Sequence, residues 1–192
     1  MSVILSAGGT PAGVREIGDN AGARMLEAIA AAFLVGGINT IADAVIAEMK
    51  LDAKPIYVFA RAVLICYCVG AIVGARARQL LMGSVGGLMI GGLVGMAHYL
   101  LAPAVGWAGV AVAWALFWIG FSLLDTLLDG RTNVGLAILQ GIAGAVLSGV
   151  FFYAIRNVWT EGSAADPSLL RGLVSWSAAF LPGFVVLFWR KA

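Results

Sequence analysis

The sequence predicts an all-α membrane protein, a bundle of six transmembrane helices. Three observations carry this expectation. Of the 192 residues, 61% are apolar and only 11% are charged, with a mean hydropathy of +0.98. A soluble globular domain is about 45–50% apolar and about 25% charged, so these charges are too few to cover a soluble fold of this size. The apolar residues gather into six runs, each near the roughly 20 residues that cross a hydrocarbon core. Proline, glycine and polar turns stand between the runs. Disorder, a disulfide scaffold and an ordinary cytosolic enzyme all fit this composition poorly.

Residues 1–21 are polar and glycine-rich. They lack the basic start, apolar core and cleavage site of a signal peptide, and read as a polar tail able to hold a short surface helix. Residues 22–192 form the six-helix domain. The first apolar segment, 23–47, is interrupted by Asn39, Thr40 and Asp43. The second, 56–75, follows Pro55, and Arg76, Arg78 and Gln79 separate it from the third, 80–101. Pro103 divides the third from the fourth, 105–124. Asp129-Gly130-Arg131-Thr132-Asn133 is a polar turn before the fifth, 134–155. Pro167 precedes the sixth, 173–189. Prolines between segments fall where a missing N–H costs least.

Trp107, Trp159, Trp176 and Trp189 lie near segment ends, as interfacial anchors do, while Trp114 and Trp118 lie deeper. Six spans put both termini on one side. That side carries Arg15, Arg24, Arg76, Arg78, Arg131, Arg190 and Lys191, against Lys50, Lys54, Arg61, Arg156 and Arg171 on the other. Seven cations against five favour cytoplasmic termini.

Within the spans, Gly83, Gly87, Gly91 and Gly95 recur every fourth residue and form one small-residue stripe on a helix. A shorter stripe is Gly141, Ala145 and Gly149. Two readings fit. Bare backbone lets another helix approach closely, in the same chain or in a homo-oligomer, or it leaves a gap for a lipid. Pro182-Gly183 interrupts the sixth segment and predicts a kink, as a hinge or as a fixed shape.

Asn39, Asp43, His98 and Gln140 are the polar residues in or near the membrane. Each must find a partner there, so each is a functional candidate. His98 is the only histidine, which excludes a multi-histidine metal site. Cys66 and Cys68 lack C-x-x-C spacing and read as buried free thiols. Asp125 and Asp129 are one helical turn apart and read as a solvated helix end more readily than as a carboxylate pair. The motifs of serine hydrolases, zinc proteases and P-loops are missing from the sequence. No dense Lys/Arg cluster offers a nucleic-acid surface.

Four features then line up in order. Gly95-Met96-Ala97-His98-Tyr99 closes the third segment. Asp129-Gly130-Arg131-Thr132-Asn133-Val134-Gly135-Leu136 joins the fourth to the fifth. Tyr153 and Trp159-Thr160 end the fifth, and Asp166 and Arg171 precede the sixth. In this order and spacing the chain resembles the Insig family, six-helix proteins of the eukaryotic endoplasmic reticulum with bacterial relatives. The resemblance covers about residues 30–190 and is clearest over 91–171. It departs from the family at Ala97, where the family has asparagine, and at about Val112, where the family has a glutamine near bound sterol.

The resemblance implies a lipid-binding or lipid-sensing role. Asp129 stands where the family docks its eukaryotic partner Scap, so a Scap-like partner follows only by that analogy. The short tails and Ala/Gly-rich composition point to a bacterial plasma membrane, where sterols are scarce. The expected ligand is therefore sterol-like or diacylglycerol-like, held without a cofactor or metal. Gly91, Leu93, Val112, Phe117, Gln140 and Gly144 are the expected wall residues of an intramembrane cavity. The reading is non-enzymatic. Its alternatives are a small-solute transporter subunit, which needs a polar pocket reachable from water, and a structural membrane assembly factor using the glycine stripe.

Overall fold

A computed structural model of the chain describes residues 12–48, 54–159 and 169–189. Six helices follow in order: α1 Ala12–Ala47, α2 Lys54–Arg76, α3 Leu80–Val105, α4 Trp107–Leu128, α5 Val134–Trp159 and α6 Leu169–Phe188. Each is long and apolar enough to cross a membrane. No strand occurs among the described residues. The chain is an all-α, multi-pass membrane bundle.

Several boundaries differ from those the sequence predicts. Residues 12–21 of the polar tail are helical and run on into the first span. No proline interrupts this stretch. α3 passes through Pro103 and ends at Val105. The chain reverses instead at Gly106, whose φ of 57° suits a residue without a Cβ. α4 runs on to Leu128, so Asp125 lies in its last turns and is only 7% exposed, buried rather than solvated. α6 starts at Leu169, which places Trp176 well inside the helix. Asp166, Pro167 and Thr160 lie outside the described residues, as do the side chains of Trp107 and Trp159.

Helices adjacent in sequence pack against each other, and α1 closes the ring against α6. α4 also touches α2 and α6, which makes it the most enclosed helix. Lipid tails are as apolar as leucine, so helices in a bilayer associate through close packing and hydrogen bonds rather than through the hydrophobic effect. The α2–α3 contact follows this rule. Gly70 and Gly74 on α2 lie against Gly83 and Gly87 on α3, backbone to backbone. Gly91 faces Val63 and Cys66, and Gly95 faces the Phe59 ring. The whole α3 stripe is covered by α2 and leaves no bare face for an oligomer contact or a lipid. On the other side of the bundle, Gly36 of α1 meets Ser177 of α6, and Gly172 of α6 meets Thr40 of α1.

The core is aromatic. Trp118 and Phe121 of α4 and Phe180, Phe184 and Phe188 of α6 are fully buried. Outward faces carry Leu26, Leu81, Met89 and Leu139, exposed as lipid-facing side chains must be.

Two turns share one chemistry. After α2, Arg78 N–H donates to Ala75 O at 3.1 Å and Gln79 N–H to Gly74 O at 2.7 Å, with Arg78 at φ 57°. After α4, Gly130 N–H donates to Leu127 O at 3.1 Å and Arg131 N–H to Thr126 O at 2.9 Å, with Gly130 at φ 68°. Both are Schellman caps that satisfy the last helical carbonyls. Asn133 then caps α5, its Oδ1 accepting from Leu136 N–H at 3.0 Å. This end of the bundle is clamped by ion pairs Arg76–Glu27 and Arg131–Asp129, and by Gln79 Nε2 donating to Leu128 O at 2.7 Å. The Arg76 guanidinium also sits 4.0 Å from the centroid of the Phe188 ring.

Two outcomes check this packing. Gly87→Leu inserts a side chain into backbone and should lower stability by about 1–3 kcal/mol or more. Gly92→Leu, whose Cβ meets open space, should leave the melting temperature nearly unchanged when the two variants are melted in one detergent. Gly130→Ala forces a side chain into the left-handed region and should cost about 1–2 kcal/mol by the same measurement.

Candidate functional site

Five helices bring polar side chains to one chamber near the end that carries the α1–α2, α3–α4 and α5–α6 connections. Helical spacing selects its wall. Asn39 comes from α1, and α2 contributes Val58, Arg61, Ala62, Ile65 and Cys66, the i, i+3, i+4, i+7, i+8 face. Val94 and His98 of α3 are four apart, as are Trp176 and Phe180 of α6. Val110, Ala113, Trp114 and Phe117 give α4's face. The chamber measures about 120 Å³.

Its electrostatics are organised by Asp43, one turn beyond Asn39 on α1. Asp43 Oδ1 accepts from Arg61 Nη1, and Asp43 Oδ2 accepts from Trp176 Nε1 at 2.7 Å. The Arg61 guanidinium also lies 5.8 Å from the Trp176 ring centroid. Three helices are thus tied through one carboxylate near the ends of their candidate spans, with the Asp43 side chain 40% exposed and that of Arg61 22%. Charges within a span are costly unless paired.

Two atoms of this wall stand apart. Asn39 is 1% exposed, and its Oδ1 has no hydrogen-bond partner among the described residues. Trp114 Nε1 is likewise buried and without one. The first is an acceptor and the second a donor. A buried polar atom left unpaired costs about 1–3 kcal/mol. Trp118 Nε1, Arg131 Nη1 and Ser177 Oγ are also unpaired among the described residues, but of the five residues only Asn39 and Trp114 line the chamber.

An apolar groove of about 340 Å³ adjoins the chamber between α4 and α5. Ala111 and Ala115 form one side, and Val146, Gly149 and Tyr153 the other. Val110, Trp114 and Trp176 line both spaces and form the partition.

The partition rests on the α4–α6 core. Trp114 stacks on Phe117 at 5.7 Å and lies 5.3 Å from Phe180. Trp118 meets Phe117 and Phe184 edge to face at 5.0 and 5.5 Å. The Trp118 ring fills the space beside Gly183 that a Cβ would occupy. Pro182 removes one backbone donor from α6, and next to it Gly183 N–H donates to Ser148 Oγ on α5 at 3.0 Å. Side chains of neighbouring helices serve backbone groups at proline breaks in membranes.

The six predicted wall residues do not share a cavity. Phe117, 3% exposed, lines the chamber. Leu93 and Val112, 67% and 44% exposed, face outward. Gly91 is covered by α2. Gly144 contacts Trp118 and Gly183, so it belongs to the core. Gln140 lies toward the opposite end, where its Nε2 donates to Val186 O at 2.8 Å in the last turn of α6. Gly141 is closed off by the Ile119 backbone, while Ala145 and Gly149 of that stripe line the α4–α5 groove. Asp129 lies at the C-cap of α4, at the end of the bundle opposite the chamber.

Asn39 and His98, singled out for their depth, do line the chamber. Arg61 was missed, counted only as an orienting charge, although it is the single charge inside the second apolar run. Trp176, expected near a segment end, donates from Nε1 to Asp43. Cys66 and Cys68 are free thiols, and Cys66 is buried on the chamber wall.

The seating of Trp118 on Gly183 has a direct check. Gly183→Ala should destabilise the bundle by about 1–3 kcal/mol through overlap with the indole and should shift tryptophan fluorescence. Ser148→Ala removes one acceptor only and should cost about 1 kcal/mol in the same melts. No protein-family model, no curated protein and no solved structure matches this chain.

Proposed function

We propose that the bundle binds a membrane lipid, with its chain in the α4–α5 groove and its polar head in the chamber. The observation that carries this reading is the unpartnered pair on the chamber wall, Asn39 Oδ1 and Trp114 Nε1, beside an apolar groove. A hydroxyl can donate to the first or accept from the second. A sterol-like alcohol and a diacylglycerol both carry that group next to apolar bulk. The groove's volume lies in the range of small-molecule sites, and its lining has little polarity to repel a chain. The resemblance to the Insig family supports the same ligand class. By that resemblance the protein is a non-enzymatic lipid sensor.

The chamber's small volume weighs against a solute pathway, although the Arg61–Asp43 pair inside the spans is the one feature that favours it.

A groove-filling variant tests the lipid reading. Gly149 borders the groove and its Cβ meets nothing within 4 Å, so Gly149→Phe should fold with a melting temperature close to the parent's. Native mass spectrometry of both proteins, extracted in one mild detergent, should show lipid on the parent and markedly less on the variant. Added dioctanoylglycerol or cholesterol should raise the parent's melting temperature by mass action and the variant's much less. A parent that carries no lipid and responds to neither compound overturns the reading.

A further inference from the structure

We propose that Asp43 sets the head-group charge that the chamber accepts, so that the site takes a neutral polar lipid and turns away an anionic one. This rests on the lipid-binding reading above. Arg61 is the guanidinium on the chamber wall. Unpaired in a low-dielectric wall, it would draw a phosphate or carboxylate strongly, because a planar fork of donors fits either one.

Asp43 cancels that attraction from behind the wall. It does not line the chamber, yet both of its carboxylate oxygens are engaged, Oδ1 by Arg61 and Oδ2 by Trp176. The contact pair presents a dipole rather than a net charge, and the difference is large where the effective dielectric is low. A lipid phosphate would have to take Arg61 from Asp43, whose side chain is 40% exposed, and would forfeit the attraction of the contact pair. A neutral hydroxyl needs none of this, since Asn39 Oδ1 and Trp114 Nε1 are already unengaged. His98 is the other basic group on the wall. At pH 8 an ordinary imidazole adds a donor and an acceptor without charge. Specificity here comes from an unfavourable exchange built against the wrong ligand, not from extra contacts to the right one.

The test compares two probes with identical tails, dioctanoylglycerol and dioctanoyl phosphatidic acid, titrated at pH 8 into the detergent-solubilised full chain. The parent should prefer dioctanoylglycerol by about tenfold or more. Asp43→Asn keeps the shape and an acceptor for Trp176 but frees the guanidinium. It should move the ratio about tenfold or more toward the phosphatidic acid. The double variant Asp43→Asn/Arg61→Gln should return to the parent's ratio. A parent that prefers the phosphatidic acid, or a folded Asp43→Asn protein with the parent's ratio, overturns the proposal. If Asp43→Asn does not fold, Arg61→Gln decides. It leaves the carboxylate without its cation and must weaken phosphatidic acid binding further, so unchanged or tighter binding overturns the proposal. Binding of dioctanoylglycerol without the predicted selectivity removes this inference and leaves the lipid reading standing. Binding of neither probe by the parent removes both.

Discussion

Trp118 occupies the space that Gly183 leaves by having no side chain, and much of the bundle is arranged around that contact. It sets how closely α4 and α6 approach. Gly144 of α5 completes the seat, beside both the indole and Gly183. The backbone interruption at Pro182 falls beside the seat, where Ser148 receives the Gly183 N–H. From Trp118 the aromatic contacts continue through Phe117 and Phe180 to Trp114. That last ring divides the polar chamber from the apolar groove. The partition is therefore held by a packed core rather than by a loop, and its rings are fixed by neighbours on three helices.

The two ends of the bundle use polar groups differently. At the α2–α3 and α4–α5 turns, Arg76 pairs with Glu27, Arg131 with Asp129 through Nη2, and Gln79 with the Leu128 carbonyl. At the other end, Asp43, Arg61 and Trp176 are matched, but Asn39 Oδ1 and Trp114 Nε1 are not. Protein interiors leave few buried polar atoms unpaired. Arg131 Nη1, Trp118 Nε1 and Ser177 Oγ are also unpaired among the described residues, but none of these three residues lines the chamber, whereas Asn39 and Trp114 both do.

Apolar length made the six spans legible, because crossing a bilayer demands a length that few other structures need, whereas Pro103 lies inside α3 rather than between spans. The glycine stripe of α3 was legible as a packing face, but its partner was not. Gly70 and Gly74 supply the other half, and only the fold brings them opposite Gly83 and Gly87. The wall residues were largely illegible for a physical reason. A spanning helix is apolar all round, so a pattern of leucine and valine does not separate lipid-facing from cavity-facing positions. Leu93 and Val112 face outward, and Phe117 lines the chamber. Gln140 is engaged in another way, because a free carbonyl in a helix's last turn calls for a polar side chain as much as a ligand does. Arg61 and Asp43 are 18 residues apart on different helices, and no spacing rule links them. What sequence did offer was the cost of each charge at its depth.

The closing of the ring by α1 and α6 governs how the chain is assembled in time. Synthesis delivers α1 first and α6 last. Until the last helix arrives, the face of α1 that carries Gly36, Asn39 and Thr40 lacks its principal neighbour. The α2–α3 hairpin has no such delay, since its three-residue turn and bare backbones let it form as soon as both helices are in the membrane. The chamber inherits the slower schedule. Trp176 and Phe180 are α6 residues, so Asp43 stays without its indole partner and the wall stays incomplete through most of translation. The complete chamber wall therefore needs α6, and a polypeptide stopped short of Leu169 carries the glycine hairpin without the Trp176 and Phe180 part of that wall.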